Sequence, residues 1–157
     1  MSVKNWQAYA AGIAGSEIVG MIAGFLTRAD TKIYAASVVK PPLAPPGWVF
    51  PIAWTLLYAL MGLGAARVYL REASPERSRA LGVFGLQLLF NFCWCFIFFS
   101  LQAFGAALIW LLLLLALAVW MAALFCKIDK SAGLLQAPYL LWLMFAAYLN
   151  GGVYMLN

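Results

Sequence analysis

No histidine occurs anywhere in the chain. That removes the commonest metal ligand, a usual axial haem ligand and the usual neutral-pH general base. Charge is scarce as well: Asp, Glu, Lys and Arg make up 10% of the 157 residues, against roughly a quarter in a soluble domain. Such a chain cannot cover its surface in water. Lipid requires the shortage, because a charge at the bilayer centre costs about 2.5 kcal/mol or more. The three cysteines, Cys93, Cys95 and Cys126, show neither a disulfide framework nor metal-ligand spacing. No metal site, P-loop, dinucleotide fingerprint or nucleophile–base pair is expected.

Apolar side chains fill the remainder, at 66% of the sequence. The net charge of +5 comes from basic residues set between apolar runs. They read as helix-end anchors, and no nucleic-acid partner is expected. Five runs are long enough to cross a hydrocarbon core of ~30 Å: residues 6–27, 47–70, 80–100, 104–126 and 134–156. The expected fold is an all-α integral membrane bundle of five transmembrane helices, one domain over residues 1–157. The partner on every side is then the lipid bilayer.

Lys4, Arg67, Arg71, Arg77, Arg79, Lys127 and Lys130 fall on one side of this topology, and Arg28, Lys32 and Lys40 on the other. The bias predicts an inside N-terminus. The segment 28–46 is the one long loop, and it carries Pro41, Pro42, Pro45 and Pro46. It is either a stiffened lid or a plain tether.

Polar and aromatic residues inside the spans form stripes. In the third span, Phe84, Gln87, Asn91, Trp94 and Phe98 share a face. In the fifth, Tyr139, Trp142, Ala146, Asn150 and Tyr154 do, and in the second, Trp54, Tyr58 and Gly62. Gln87, Asn91 and Asn150 need partners away from lipid. They either bind helices together, at about 0.6–2 kcal/mol per bond, or line a cavity whose rings suit a large flat apolar ligand. Glu17 lies mid-span as a functional candidate or a protonated, hydrogen-bonded acid. The fourth span is apolar from Ala106 to Phe125, so it is expected to face lipid or a partner. Gly20 and Gly24 have the spacing of close helix packing.

Three blocks resemble one family. The first is Lys40-Pro41-Pro42-Leu43-Ala44-Pro45-Pro46-Gly47-Trp48-Val49-Phe50, running on through Trp54-Thr55, Leu57-Tyr58 and Met61-Gly62. The second is Gln87-Leu88, Asn91, Trp94 and Phe98-Phe99. The third is Pro138-Tyr139-Leu140, Trp142, Phe145-Ala146 and Leu149-Asn150. With Tyr34-Ala35 ahead of them, they make the whole chain similar to the TspO/MBR family, which takes in bacterial tryptophan-rich sensory proteins and mitochondrial translocator proteins, the peripheral benzodiazepine receptors. The resemblance implies a homodimer in a membrane, here a bacterial cell membrane. It implies a cavity under the first loop that takes porphyrins such as protoporphyrin IX and drug-like hydrophobic ligands, with a sensing or regulatory role. No cofactor is required; the porphyrin enters as ligand. By position, Trp54 and Trp142 are the pocket tryptophans, and they become catalytic if the protein degrades porphyrin in light. Stripes and resemblance together give the remaining ligand-binding set: Tyr34, Pro45, Tyr58, Gln87, Asn91, Trp94, Tyr139, Phe145, Ala146, Leu149 and Asn150. Transport of tetrapyrroles or other small hydrophobic molecules is a further reading. Leu43 stands where the family often has Trp, and Cys95-Phe96 where it often has Pro-Pro, which predicts a straighter third span.

Overall fold

The computed structural model describes residues 3–157. The order is α1 (Val3–Leu26), α2 (Arg28–Ser37), α3 (Val49–Tyr69), α4 (Pro75–Cys95) running into a π-helical turn (Phe96–Ser100), α5 (Phe104–Ile128), α6 (Lys130–Leu134) and α7 (Ala137–Leu156). Five stretches are long and apolar enough to cross a membrane: Asn5–Leu26, Val49–Tyr69, Pro75–Ser100, Phe104–Ile128 and Lys130–Leu156. The all-α five-span bundle is therefore found. Lys4 of the charge bias lies outside the residues whose side chains are described.

Three features differ from expectation for local reasons. The third span starts at Pro75 because Ser74 caps it: its side chain accepts from the Arg77 N–H at 3.0 Å, with Pro75 and Glu76 in the first turn. The expected 28–46 loop is half helix. Thr27 bonds back to the Ala23 carbonyl at 2.9 Å, and α2 then starts with Asp30 in its first turn. Only residues 38–48 are irregular. The end of the third span, expected to be straighter without the prolines, widens into a π-helical turn over Phe96–Ser100.

Packing rests on small residues and on one striped helix. α1 crosses α3 at Gly12 and Gly62, where a Cβ added to either glycine would collide with the other's backbone. Close backbone approach of this kind drives helix association where no hydrophobic effect operates. Gly20 lies against the Tyr58 ring, whereas Gly24 faces open space, so the expected pair acts through one member only. The fourth span does not simply face lipid. Ala107, Leu111, Leu114, Ala118, Met121 and Phe125 of α5 are buried on one side, against α4 and α7, while Ile109, Leu112, Leu113, Val119 and Trp120 stay exposed on the other.

One end of the bundle is closed by Asp129, between α5 and α6. Its carboxylate accepts from Arg67 at 3.2 Å and from Arg71 Nε at 3.1 Å, and it caps α6 through the Ala132 N–H at 3.1 Å. Only 4% of this side chain is exposed. Burial raises its pKa, but the bonds from Arg71, Ala132 and Arg67 outweigh that and hold it at about 2. Arg77 finishes the end of α3 by donating to the carbonyls of Tyr69, at 3.0 Å, and Arg71, at 2.8 Å.

Two outcomes follow for detergent-solubilised protein. Gly62→Val is expected to cost about 3 kcal/mol of unfolding free energy, while Gly24→Ala, in open space, leaves the thermal midpoint unchanged or raised. Folding depresses the Asp129 pKa, so its stabilisation is complete above the ordinary value of 3.8 and disappears as pH falls through about 2. The thermal midpoint should drop across that window, and the drop attributable to this group should vanish in Asp129→Asn.

Candidate functional site

The three stripes meet in the middle of the bundle. Their lower layer is a directional chain of hydrogen bonds. Tyr58 on α3 donates to Asn91 Oδ1 on α4 at 2.7 Å. Asn91 Nδ2 donates to the Tyr139 hydroxyl on α7 at 3.0 Å. Tyr139 donates to Gln87 Oε1 at 2.8 Å, and Gln87 Nε2 points at the Met61 sulfur, 3.6 Å away. All four polar residues of the chain are buried. The two amides thus act as the glue between α3, α4 and α7 in this arrangement.

Above this layer the rings are half-buried rather than sealed. Trp54, one turn above Tyr58 towards the proline segment, lies 5.5 Å from its ring and 6.4 Å from Tyr139. Trp54 and Trp142 meet nearly perpendicular, at 81° and 6.4 Å. Phe50 sets its edge on Trp142 at 5.9 Å. Among the described residues the indole N–H groups of Trp54 and Trp142 make no hydrogen bond, whereas Trp94 donates to Asn150 Oδ1 at 3.3 Å and Trp110 to the Phe90 carbonyl at 2.8 Å. Asn150 in turn donates to the Phe104 carbonyl at 2.8 Å. Trp94 stacks on Phe98 at 4.9 Å. Ala146 packs beside the same core, and Leu149 is partly buried on α7.

The proline segment is tied down over α7 and the π-turn. Tyr148 donates to the Pro42 carbonyl at 2.8 Å. The Asn157 amide accepts from Val39 N–H at 3.0 Å and donates to the Val39 carbonyl at 2.9 Å. Pro41 sits so closely on Gly152 that a Cβ there would collide with it. Tyr34 of α2 packs against Phe98 at 5.2 Å and Phe99 at 5.3 Å. Trp142 meets Phe145 at 5.8 Å, and Phe145 stacks on Tyr148 at 6.2 Å, so a ladder of rings joins the indole pair to the Pro42 tether. Pro45 is half-buried within the segment, and Leu43 is exposed at its tip with a φ of 66°. Ring-stacking by residue 43 is therefore not part of this cover.

Residues outside the stripes complete the site. Met61 ends the hydrogen-bond chain, and Tyr148 and Asn157 hold the cover; no helical spacing marks them as a group. Gln136 is fully buried against Gly64 and donates to the Ala132 carbonyl at 3.1 Å. Its position just before the Tyr139 stripe is the only sequence hint. Glu17 stays half-buried on α1.

A helical membrane bundle of five spans, with an aromatic and amide interior beneath a proline-rich cover, defines the class. Comparison with known proteins names the group. The TspO/MBR family description matches residues 12–156. The chain is 36% identical over 141 residues to tryptophan-rich protein TspO of Chlorobaculum tepidum, covering 88% of this chain and 89% of that protein. It is 42% identical over 119 residues to the tryptophan-rich sensory protein of Cereibacter sphaeroides, covering 75% and 73%. It is 35% identical over 142 residues to the translocator protein of Bos taurus, covering 87% and 84%. The chain belongs to the TspO/MBR family, and it is an integral membrane protein.

The Tyr139 hydroxyl both accepts and donates, so Tyr139→Phe leaves Asn91 Nδ2 and Gln87 Oε1 unpaired. Its expected cost is about 2 kcal/mol, more than Tyr58→Phe, which leaves only Asn91 Oδ1. Thermal unfolding of the two variants in one detergent checks the order.

Proposed function

We propose that the protein binds porphyrins, together with drug-like hydrophobic molecules, among the half-buried rings of Trp54 and Trp142, and that this binding serves a sensing or regulatory role. The perpendicular indole pair carries the reading. One ring can stack on a flat macrocycle while the other closes its edge, and both N–H groups are free to donate to peripheral carboxylates. Beneath the pair, the locked Tyr58–Asn91–Tyr139–Gln87 chain is a rigid floor. The floor and cover are drawn from Tyr34, Pro45, Trp94, Phe145, Ala146, Leu149 and Asn150 in addition. The absence of histidine suits a metal-free tetrapyrrole better than axially ligated haem. The segment over α7 must lift to admit so large a ligand, and the hydrogen bonds that tie it to α7 all run to Tyr148 and Asn157. In this reading the protein is a homodimer in a bacterial cell membrane with its N-terminus inside.

A second reading is light-driven oxidation of the bound porphyrin by dioxygen, with Trp54 and Trp142 supplying electrons or radicals; their 6.4 Å separation puts both rings beside one ligand. Trp142→Ala is expected to weaken protoporphyrin IX binding by about tenfold or more, read by tryptophan quenching in detergent. Unchanged affinity would reject the pocket. Illuminating wild type beside a Trp54→Phe, Trp142→Phe double variant and following porphyrin absorbance separates binding from breakdown.

A further inference from the structure

The end of the bundle remote from the proline segment carries a groove that the ligand site does not use. Its mouth is a hollow of about 260 Å³ lined by Asn5, Tyr9, Arg67, Leu70, Arg71 and Asp129. Below it lies a trough of about 730 Å³, walled mostly by Leu60, Leu63, Leu134, Leu135 and Pro138. Tyr9 and Arg67 line both, so the two hollows adjoin. From Arg67 down to Leu60 along α3 is two helical turns, roughly 10 Å of apolar wall.

The electrostatics of the mouth are unbalanced. Two guanidinium groups face one carboxylate, and Asp129 engages only part of each arginine's set of donors. Arg67 Nε is buried and has no partner among the described residues. The Arg71 side chain is 53% exposed, so its free edge is available. Guanidinium groups bind phosphate in planar, paired geometry. Basic pockets between membrane helices suit anionic headgroups. A leucine-walled trough along a membrane span suits an acyl chain, because water there would have almost no partners.

We propose that this groove between α1, α3 and the α6–α7 corner holds one anionic phospholipid, its phosphate against Arg67 and Arg71 and one acyl chain in the Leu60–Leu63–Leu134 trough. The Asp129 carboxylate keeps both arginines turned toward the mouth, so the site is built before the lipid arrives. The lipid would lie between α1 and the corner that starts α7, at the opposite end from the tied proline segment.

The test is native mass spectrometry on the full chain in detergent, incubated with dioleoylphosphatidylglycerol or dioleoylphosphatidylcholine. Wild type should retain the phosphatidylglycerol about fivefold better, as one uncompensated positive charge at the headgroup predicts. Arg71→Gln, which leaves the Arg67–Asp129 pair intact, should bring retention down to the phosphatidylcholine level. Leu63→Trp fills the trough without touching the charges, and it should reduce retention of both lipids. Arg79→Gln, whose guanidinium lies over Trp120 away from the groove, should change nothing. Equal retention of the two lipids by wild type overturns the proposal. So does a loss in Arg79→Gln equal to that in Arg71→Gln, which would mark a diffuse basic surface. If Arg71→Gln fails to fold, Leu63→Trp decides: undiminished lipid retention in that variant also overturns the site.

Discussion

Polar groups inside a bilayer have no water to fall back on, and the interior of this bundle is organised by that constraint. The Tyr58–Asn91–Tyr139–Gln87 chain satisfies four buried side chains with one another and draws α3, α4 and α7 to one level. Because each bond has one direction, the three helices have one register in which the set is complete. The aromatic layer above inherits that register. Trp54 sits one turn from Tyr58 and Trp142 one turn from Tyr139, so their mutual angle follows from the bonds below.

The two ends of the bundle solve different problems. At the basic end, Asp129 answers two arginines, caps a short helix and joins α3 to the α5–α6 junction. That end is pinned by charge and is sensitive to strong acid. At the other end no ion pair of Lys or Arg with Asp or Glu occurs among the described residues, and the cover is tied to α7 by neutral hydrogen bonds, with the Lys40 ammonium on the Ala35 carbonyl and over the Tyr34 ring. Neutral ties each contribute little, about 1 kcal/mol, so that end is held more weakly than the charged one.

Much of this was legible from spacing alone. The five spans follow from length and hydropathy, and the stripes on the second, third and fifth spans do converge. Their residues differ in role more than a stripe can reveal. Gln87 and Asn91 have the same spacing whether they line a hollow or bind helices, and only their partners decide. α2 was hidden because it is only ten residues long and carries Arg28, Asp30 and Lys32, so it does not stand out as an apolar span; it is held by Tyr34 against the π-turn. The early start of α4 was written in Ser74-Pro75-Glu76, a capping signal that hydropathy overlooks. The Gly12–Gly62 crossing was invisible because it pairs glycines from two spans, whereas a single sequence exposes only spacings within one.

The ring ladder from Trp142 through Phe145 to Tyr148 has a thermodynamic corollary. It joins the indole beside the floor to the hydroxyl that fastens Pro42. Any guest that turns Trp142 disturbs the stack on which Tyr148 rests, so occupancy and closure become linked equilibria. Reciprocity then requires that whatever loosens the Pro42 fastening changes guest affinity by the same factor.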